Sequence, residues 1–179
     1  WQGTASATLP GLSSRQRELI CSDSSLTLQL ERLLGERIEV DIKQNSTSTL
    51  SSEEATFLSE PPGAPSIERE VWLRAGSDKL VYAHSVIPKD CIEGWLFTEL
   101  TEGTAPIGRV LEEASIPVTK QTLRIGFINS EIVATELELP VDTIFIARRY
   151  KLVNKKDDGT WVIKALLYEV FNPALISTE

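Results

Sequence analysis

Sulfur and imidazole are scarce in this sequence: two cysteines, one histidine and no methionine in 179 residues. Two cysteines, Cys21 and Cys91, cannot make the disulfide framework that staples small secreted domains. A single histidine, His84, leaves no His/Cys ligand set, so no metal is expected. Glycine-rich phosphate loops, dinucleotide fingerprints and serine-nucleophile elbows are missing, and an enzyme built on this chain is expected to work without a bound cofactor. Apolar runs never approach the roughly 20 residues a membrane helix needs, and no signal-peptide layout is present. No membrane partner and a cytoplasmic location are therefore the expectations. Basic residues are the minority, 18 against 26 acidic, for a net charge of -8. That balance argues against nucleic acid, which requires a basic face, but leaves room for a small anion held by a few buried arginines.

What is present fits one domain with a proper core. Residues 1–22 read as a loosely packed N-terminal extension, with a short helical turn at 16–20, and 23–179 as the domain. Asp23 or Ser24 can cap a helix whose leucines (Leu26, Leu28, Leu30, Leu33, Leu34) fall largely on one side, closed by Gly35. Ile38, Val40 and Ile42 alternate as a strand; residues 45–52 read as a polar link, and 52–58 as a short helix. Further helices are expected over 90–100 and 106–113. Strands are expected over 67–75, 80–87, 119–129, 132–139, 143–153 and 160–171, joined mostly by hairpin turns such as Gly76-Ser77-Asp78 and Asp158-Gly159. The sum is an α+β fold, a single antiparallel sheet of about six strands with helices on one face.

Two residues break the pattern. On the strand 67–75, Ile67, Val71 and Leu73 share a face by the two-residue period, and Arg69 shares it with them. The other face, Glu68, Glu70, Trp72 and Arg74, suits solvent. On the last strand, Ile163, Ala165, Leu167 and Phe171 share a register with Glu169. A buried guanidinium or carboxylate without a partner is costly. Either the two pair with each other, or they stand at the two ends of an internal cavity that holds a small molecule with a carboxylate at one end and a hydroxyl at the other.

Four segments in order resemble the chorismate pyruvate-lyase family. They are Arg69-Glu70-Val71-Trp72-Leu73 with its Gly76-Ser77-Asp78 turn; Ala83-His84-Ser85-Val86-Ile87-Pro88; Thr104-Ala105-Pro106-Ile107-Gly108-Arg109; and, near the end, Arg148-Arg149-Tyr150-Lys151-Leu152 with Leu167-Tyr168-Glu169-Val170-Phe171-Asn172-Pro173. The likeness spans residues 23–173. It implies an antiparallel sheet enclosing an internal site under flaps, and a cofactor-independent carbon–oxygen lyase. That lyase removes pyruvate from chorismate and leaves 4-hydroxybenzoate, the ring precursor of ubiquinone or plastoquinone.

Carried over by position, the resemblance makes Arg69 the holder of the ring carboxylate, helped by the Ile107 backbone N–H, and Glu169 the group that meets the ring hydroxyl. Arg69 and Glu169 are thus the expected catalytic residues. The second carboxylate of chorismate needs another donor; His84 and Arg149 are expected in the substrate site, with Arg148, Arg124 and Lys164 as further candidates. The resemblance is that of a divergent relative. His84 stands where the bacterial enzyme has an arginine, Tyr168 replaces a threonine, residues 125–142 are expected to lengthen two strands, and the 154–159 tip is longer. The other reading is a non-catalytic domain that binds an aromatic acid, like the effector-sensing domains of transcription regulators on the same fold. A monomer is the expected state.

Overall fold

The computed structural model describes residues 12–176. Six strands form one sheet: β1 (Glu39–Thr49), β2 (Pro65–Ala75), β3 (Asp78–Pro88), β4 (Thr119–Asn129), β5 (Ile144–Lys155) and β6 (Trp161–Phe171). Their order is β1-β2-β3-β6-β5-β4, every neighbour antiparallel. Two three-stranded meanders, β1-β2-β3 and β4-β5-β6, therefore meet at the central β3–β6 pair. Gly76, at φ 55, makes the tight β2–β3 turn between Ala75 and Asp78, a conformation a side chain would resist.

One face carries the helices that matter for the site: α1 (Ser14–Cys21), α2 (Leu26–Leu34), α4 (Gly94–Glu102) and α5 (Ile107–Glu113). Apolar residues of α1 and α2 (Leu19, Ile20, Leu26, Leu30) pack on Val71, Leu73, Val81 and Phe171. Leu96, Leu100, Val110 and Leu111 of α4 and α5 pack on Ile67, Ile87, Ile163 and Leu167. Ser13 and Gln16 form a reciprocal cap at the start of α1, and Leu19 and Ile20 are buried. The segment expected to pack loosely is thus part of the core from α1 onward; residues 1–11 of the expected extension lie outside the described residues.

Two short helices lie on the opposite face, and both correct the sequence reading or add to it. α3 (Ser52–Leu58) spans the expected residues, is capped by Ser51, and covers Val86 and Leu166. Residues 132–139, expected as a strand, instead contain α6 (Glu131–Glu136), whose Ser130 side chain accepts from the Val133 N–H. Val133 and Ala134 are buried against Trp72. Trp72, expected on a solvated face, is fully buried under α6 and donates its indole N–H to Glu136 Oε2 at 2.8 Å. A run of β-branched residues reads as a strand locally, but packing on the indole decides otherwise. The expected polar link at 45–52 is likewise corrected, because β1 continues to Thr49 and pairs with β2 as far as Pro65. Its side chains are polar because it is an edge strand, and backbone pairing, not apolar content, defines it. The expected helix over 90–100 divides into a short 3-10 turn at Lys89–Cys91 and α4. Among the described residues, no helix is long and apolar enough to cross a membrane.

Candidate active site

A cavity of about 540 Å³ lies between the sheet and the roof formed by α2, α5 and the segment leading into β4. That volume is in the range of small-molecule sites. The roof is tight where α2 and α5 meet. A Cβ on Gly108 would stand 2.8 Å from Ser25 Oγ, so a side chain here would force the serine hydroxyl to move. Arg109 forms an ion pair with Glu31 of α2, whose Oε1 also accepts from the Ile38 N–H at 2.9 Å. The Ile107-Gly108-Arg109 motif thus holds the two roof helices together.

The floor follows from strand register. One cross-strand row runs Arg69–Ser85–Leu167–Tyr150, and the next runs Val71–Ala83–Glu169–Arg148. Arg69 and Glu169 therefore stand on the same face, one strand apart, in neighbouring rows. Both line the cavity and both are 4% exposed. They are not paired with each other. Arg69 donates from Nη2 to the Ala105 carbonyl at 3.1 Å, and its buried Nε has no partner. Burial pulls its pKa down from the usual arginine value, as expected for a cation without an anion. Ile107 also lines the cavity, at the first turn of α5.

Glu169 is held by two groups. Arg148 donates its Nε to Oε2, and the Tyr150 hydroxyl donates to Oε1 at 2.9 Å. Arg148 is fully buried, and its Nη1 donates to the Leu19 and Ile20 carbonyls at 3.1 and 2.8 Å, near the end of α1. Burial works against the arginine's charge, but the adjacent carboxylate more than offsets this and keeps it protonated. Burial and the Glu169 charge push the Tyr150 phenol well above its usual range, so it remains a donor. A carboxylate has about four acceptor sites, so Glu169 retains room for a ligand hydroxyl.

Two residues placed in the site by sequence point elsewhere. His84 borders the cavity along β3, but its ring turns to the other face. There it stacks on Tyr168 at 5.7 Å, with Nε2 3.6 Å from the Glu68 carboxylate. Arg149 is absent from the cavity wall; it pairs with Glu53 of α3 at 2.6 Å and lies over Phe57. Both alternate with inward residues, Ser85 and Tyr150, so the two-residue period sends them outward. Lys164 pairs with Glu60, Arg124 lies over Phe57, and Arg148 is engaged by Glu169.

The cavity's lysine, Lys120, was not visible in the sequence. Its Nζ donates to the Ser22 and Ser24 carbonyls at 3.2 and 2.8 Å and sits 4.9 Å from the centre of the Tyr150 ring. Simple alternation from Leu123 and Ile125 would turn it outward. A one-residue bulge between Gln121 and Arg124, with Thr122 at φ 56, reverses the register and brings it in. Burial, with Arg148 nearby, pulls the Lys120 pKa down to about 8, against the opposing effect of Glu169 and Asp23. Among the described residues no cluster of metal-ligating side chains occurs.

Comparison with known proteins agrees with this architecture. The chain is 29% identical over 103 residues to a probable chorismate pyruvate-lyase of Pseudomonas aeruginosa; the match spans 58% of this chain and 58% of that relative. Similar solved structures include PhnF from Mycobacterium smegmatis, at TM-score 0.67 and 16% identity over 88% of this chain and 67% of that one. The effector domain of PhnF matches at TM-score 0.65 and 16% identity, over 84% and 90% of the two chains. A GntR-family transcriptional regulator from Bacillus cereus matches at 0.58 and 16%, over 79% and 96%. At such identities these likenesses bear on the fold. The model of the Rv2949c-like chorismate pyruvate-lyases matches residues 20–178, and the chain belongs to that family.

Proposed function

We propose that this protein is a chorismate lyase, converting chorismate to 4-hydroxybenzoate and pyruvate without a cofactor. The observation that carries the reading is the cavity with a buried, anion-free Arg69 at one side and a preset Glu169 at the other. In this reading the ring carboxylate meets the Arg69 guanidinium, including the unpartnered Nε, and the Ile107 N–H. Such charge-assisted contacts fix the ring plane. The ring hydroxyl donates to Glu169, whose orientation is set beforehand by Arg148 and Tyr150.

The reaction breaks the bond between the ring and the enolpyruvyl oxygen. The ring carbon next to it loses its hydrogen as a proton, the electron pair completes the aromatic ring, and enolpyruvate takes up a proton to become pyruvate. Aromatisation supplies the driving force, so the protein contributes mainly orientation and charge placement. In this reading, Glu169 orients the hydroxyl-bearing carbon that is deprotonated.

The regulator domains with the same fold support a second reading, an effector-binding domain that holds an aromatic acid without turnover. One assay separates the two. Purified protein mixed with chorismate is expected to generate 4-hydroxybenzoate absorbance and stoichiometric pyruvate. Binding of 4-hydroxybenzoate with no product from chorismate would favour the second reading.

A further inference from the structure

Chorismate carries two carboxylates and 4-hydroxybenzoate one, and the charges around the cavity count to two. Glu169 is neutralised by Arg148. The remaining cations on the wall are Arg69 and Lys120, and their hydrogen-bond partners are backbone carbonyls only: Ala105 for Arg69, Ser22 and Ser24 for Lys120. Carbonyls satisfy N–H groups but leave the charge uncompensated. Asp23 and Glu112, the other acids bordering the cavity, are exposed.

Resting on the lyase reading of this cavity, we infer that Lys120 is the receptor for the second, enolpyruvyl carboxylate, so that Arg69 and Lys120 together select a dianion. The two cations project from β2 and β4, four strand positions apart. At about 4.8 Å per strand their backbones stand roughly 19 Å apart. Both side chains reach inward from these strands to the wall of the same cavity. An ammonium has three N–H donors; Lys120 spends two on carbonyls and has the third for a ligand. The left-handed Thr122 bulge on the edge strand β4 turns this lysine inward. Burial, and then Arg148, pull the Lys120 pKa down to about 8 against Glu169 and Asp23, a shift that an anion bound beside it would oppose.

A chemical consequence follows. The second carboxylate leaves with pyruvate, so Lys120 grips substrate and not product, and Arg69 grips both. The test uses the full chain at neutral pH. It compares the KM for chorismate with the Kd for 4-hydroxybenzoate in wild type, Lys120→Met, Lys120→Gln and Lys120→Arg, with folding checked by circular dichroism. The Met and Gln variants are expected to raise the chorismate KM roughly 10-fold or more, the loss of a charge-assisted contact, and to leave 4-hydroxybenzoate affinity within about 3-fold. The Arg variant is expected to recover most of the loss. Equal weakening of both ligands, or an unchanged chorismate KM, overturns the inference. Wild type that neither binds nor turns over chorismate instead overturns the lyase reading beneath it.

Discussion

Arg148 and Glu169 are direct partners across the β5–β6 pair, and the arginine's Nε donates to the Glu169 carboxylate in a fully buried setting. This contact, not one between Arg69 and Glu169, neutralises the acid on the inner face. It also links the site to α1, through the Arg148 bonds to the Leu19 and Ile20 carbonyls. Cations near a helix C-terminus are favoured there.

Removing one half of such a pair strands a buried charge, which typically costs about 3–5 kcal/mol. Arg148→Met is expected to lower stability by that order in urea denaturation. Adding Glu169→Gln to it is expected to recover part of the loss. A single-variant cost under about 1 kcal/mol would show that the pair contributes little.

Arg69 carries the opposite expectation. Its charge is buried with no anion, so Arg69→Met removes a desolvation cost and is expected to leave the melting temperature equal or higher. The same change is expected to weaken 4-hydroxybenzoate binding by about 1.5–3 kcal/mol, the range for hydrogen bonds to charged groups. Calorimetric titration and thermal melts on one sample read both. A marked fall in melting temperature with intact affinity would identify Arg69 as a structural residue.

Glu136 contributes to acid sensitivity. Burial pushes its carboxyl up, but hydrogen bonds from Lys79, Trp72 and Lys43 outweigh this and leave it below the usual carboxylate value. A depressed acid contributes stability above its unfolded pKa, near 4.3, and loses it as pH falls through the folded value. Wild type is therefore expected to lose stability between about pH 5 and 3 more steeply than Glu136→Gln. Parallel curves for the two proteins would remove Glu136 from the account.

Arg69 and Glu169 could be read from sequence because each is a charge in an otherwise apolar two-residue register, and a tertiary fold rarely places charges there without use. The central hairpin was legible for the same reason, since Gly76 marks its turn. Lys120 was hidden by the extra residue at Thr122, because a bulge is set by pairing with β5 and leaves no mark in hydrophobic alternation. The identity of α6, and the burial of Trp72 beneath it, depended on a contact 64 residues apart in the chain. His84 and Arg149 were placed in the site by motif position; their alternation with Ser85 and Tyr150 was the available signal that they face away.

The central claim is that Arg69 and Glu169 hold one aromatic acid across the cavity during elimination. Its most direct test is the rate of 4-hydroxybenzoate formation from chorismate by wild type, Arg69→Met and Glu169→Gln. Wild type is expected to release 4-hydroxybenzoate and pyruvate in equal amounts, with Arg69→Met at least about 10-fold slower in kcat/KM and Glu169→Gln slower by about 100-fold. No product from wild type, or the same rate from all three proteins, would contradict it.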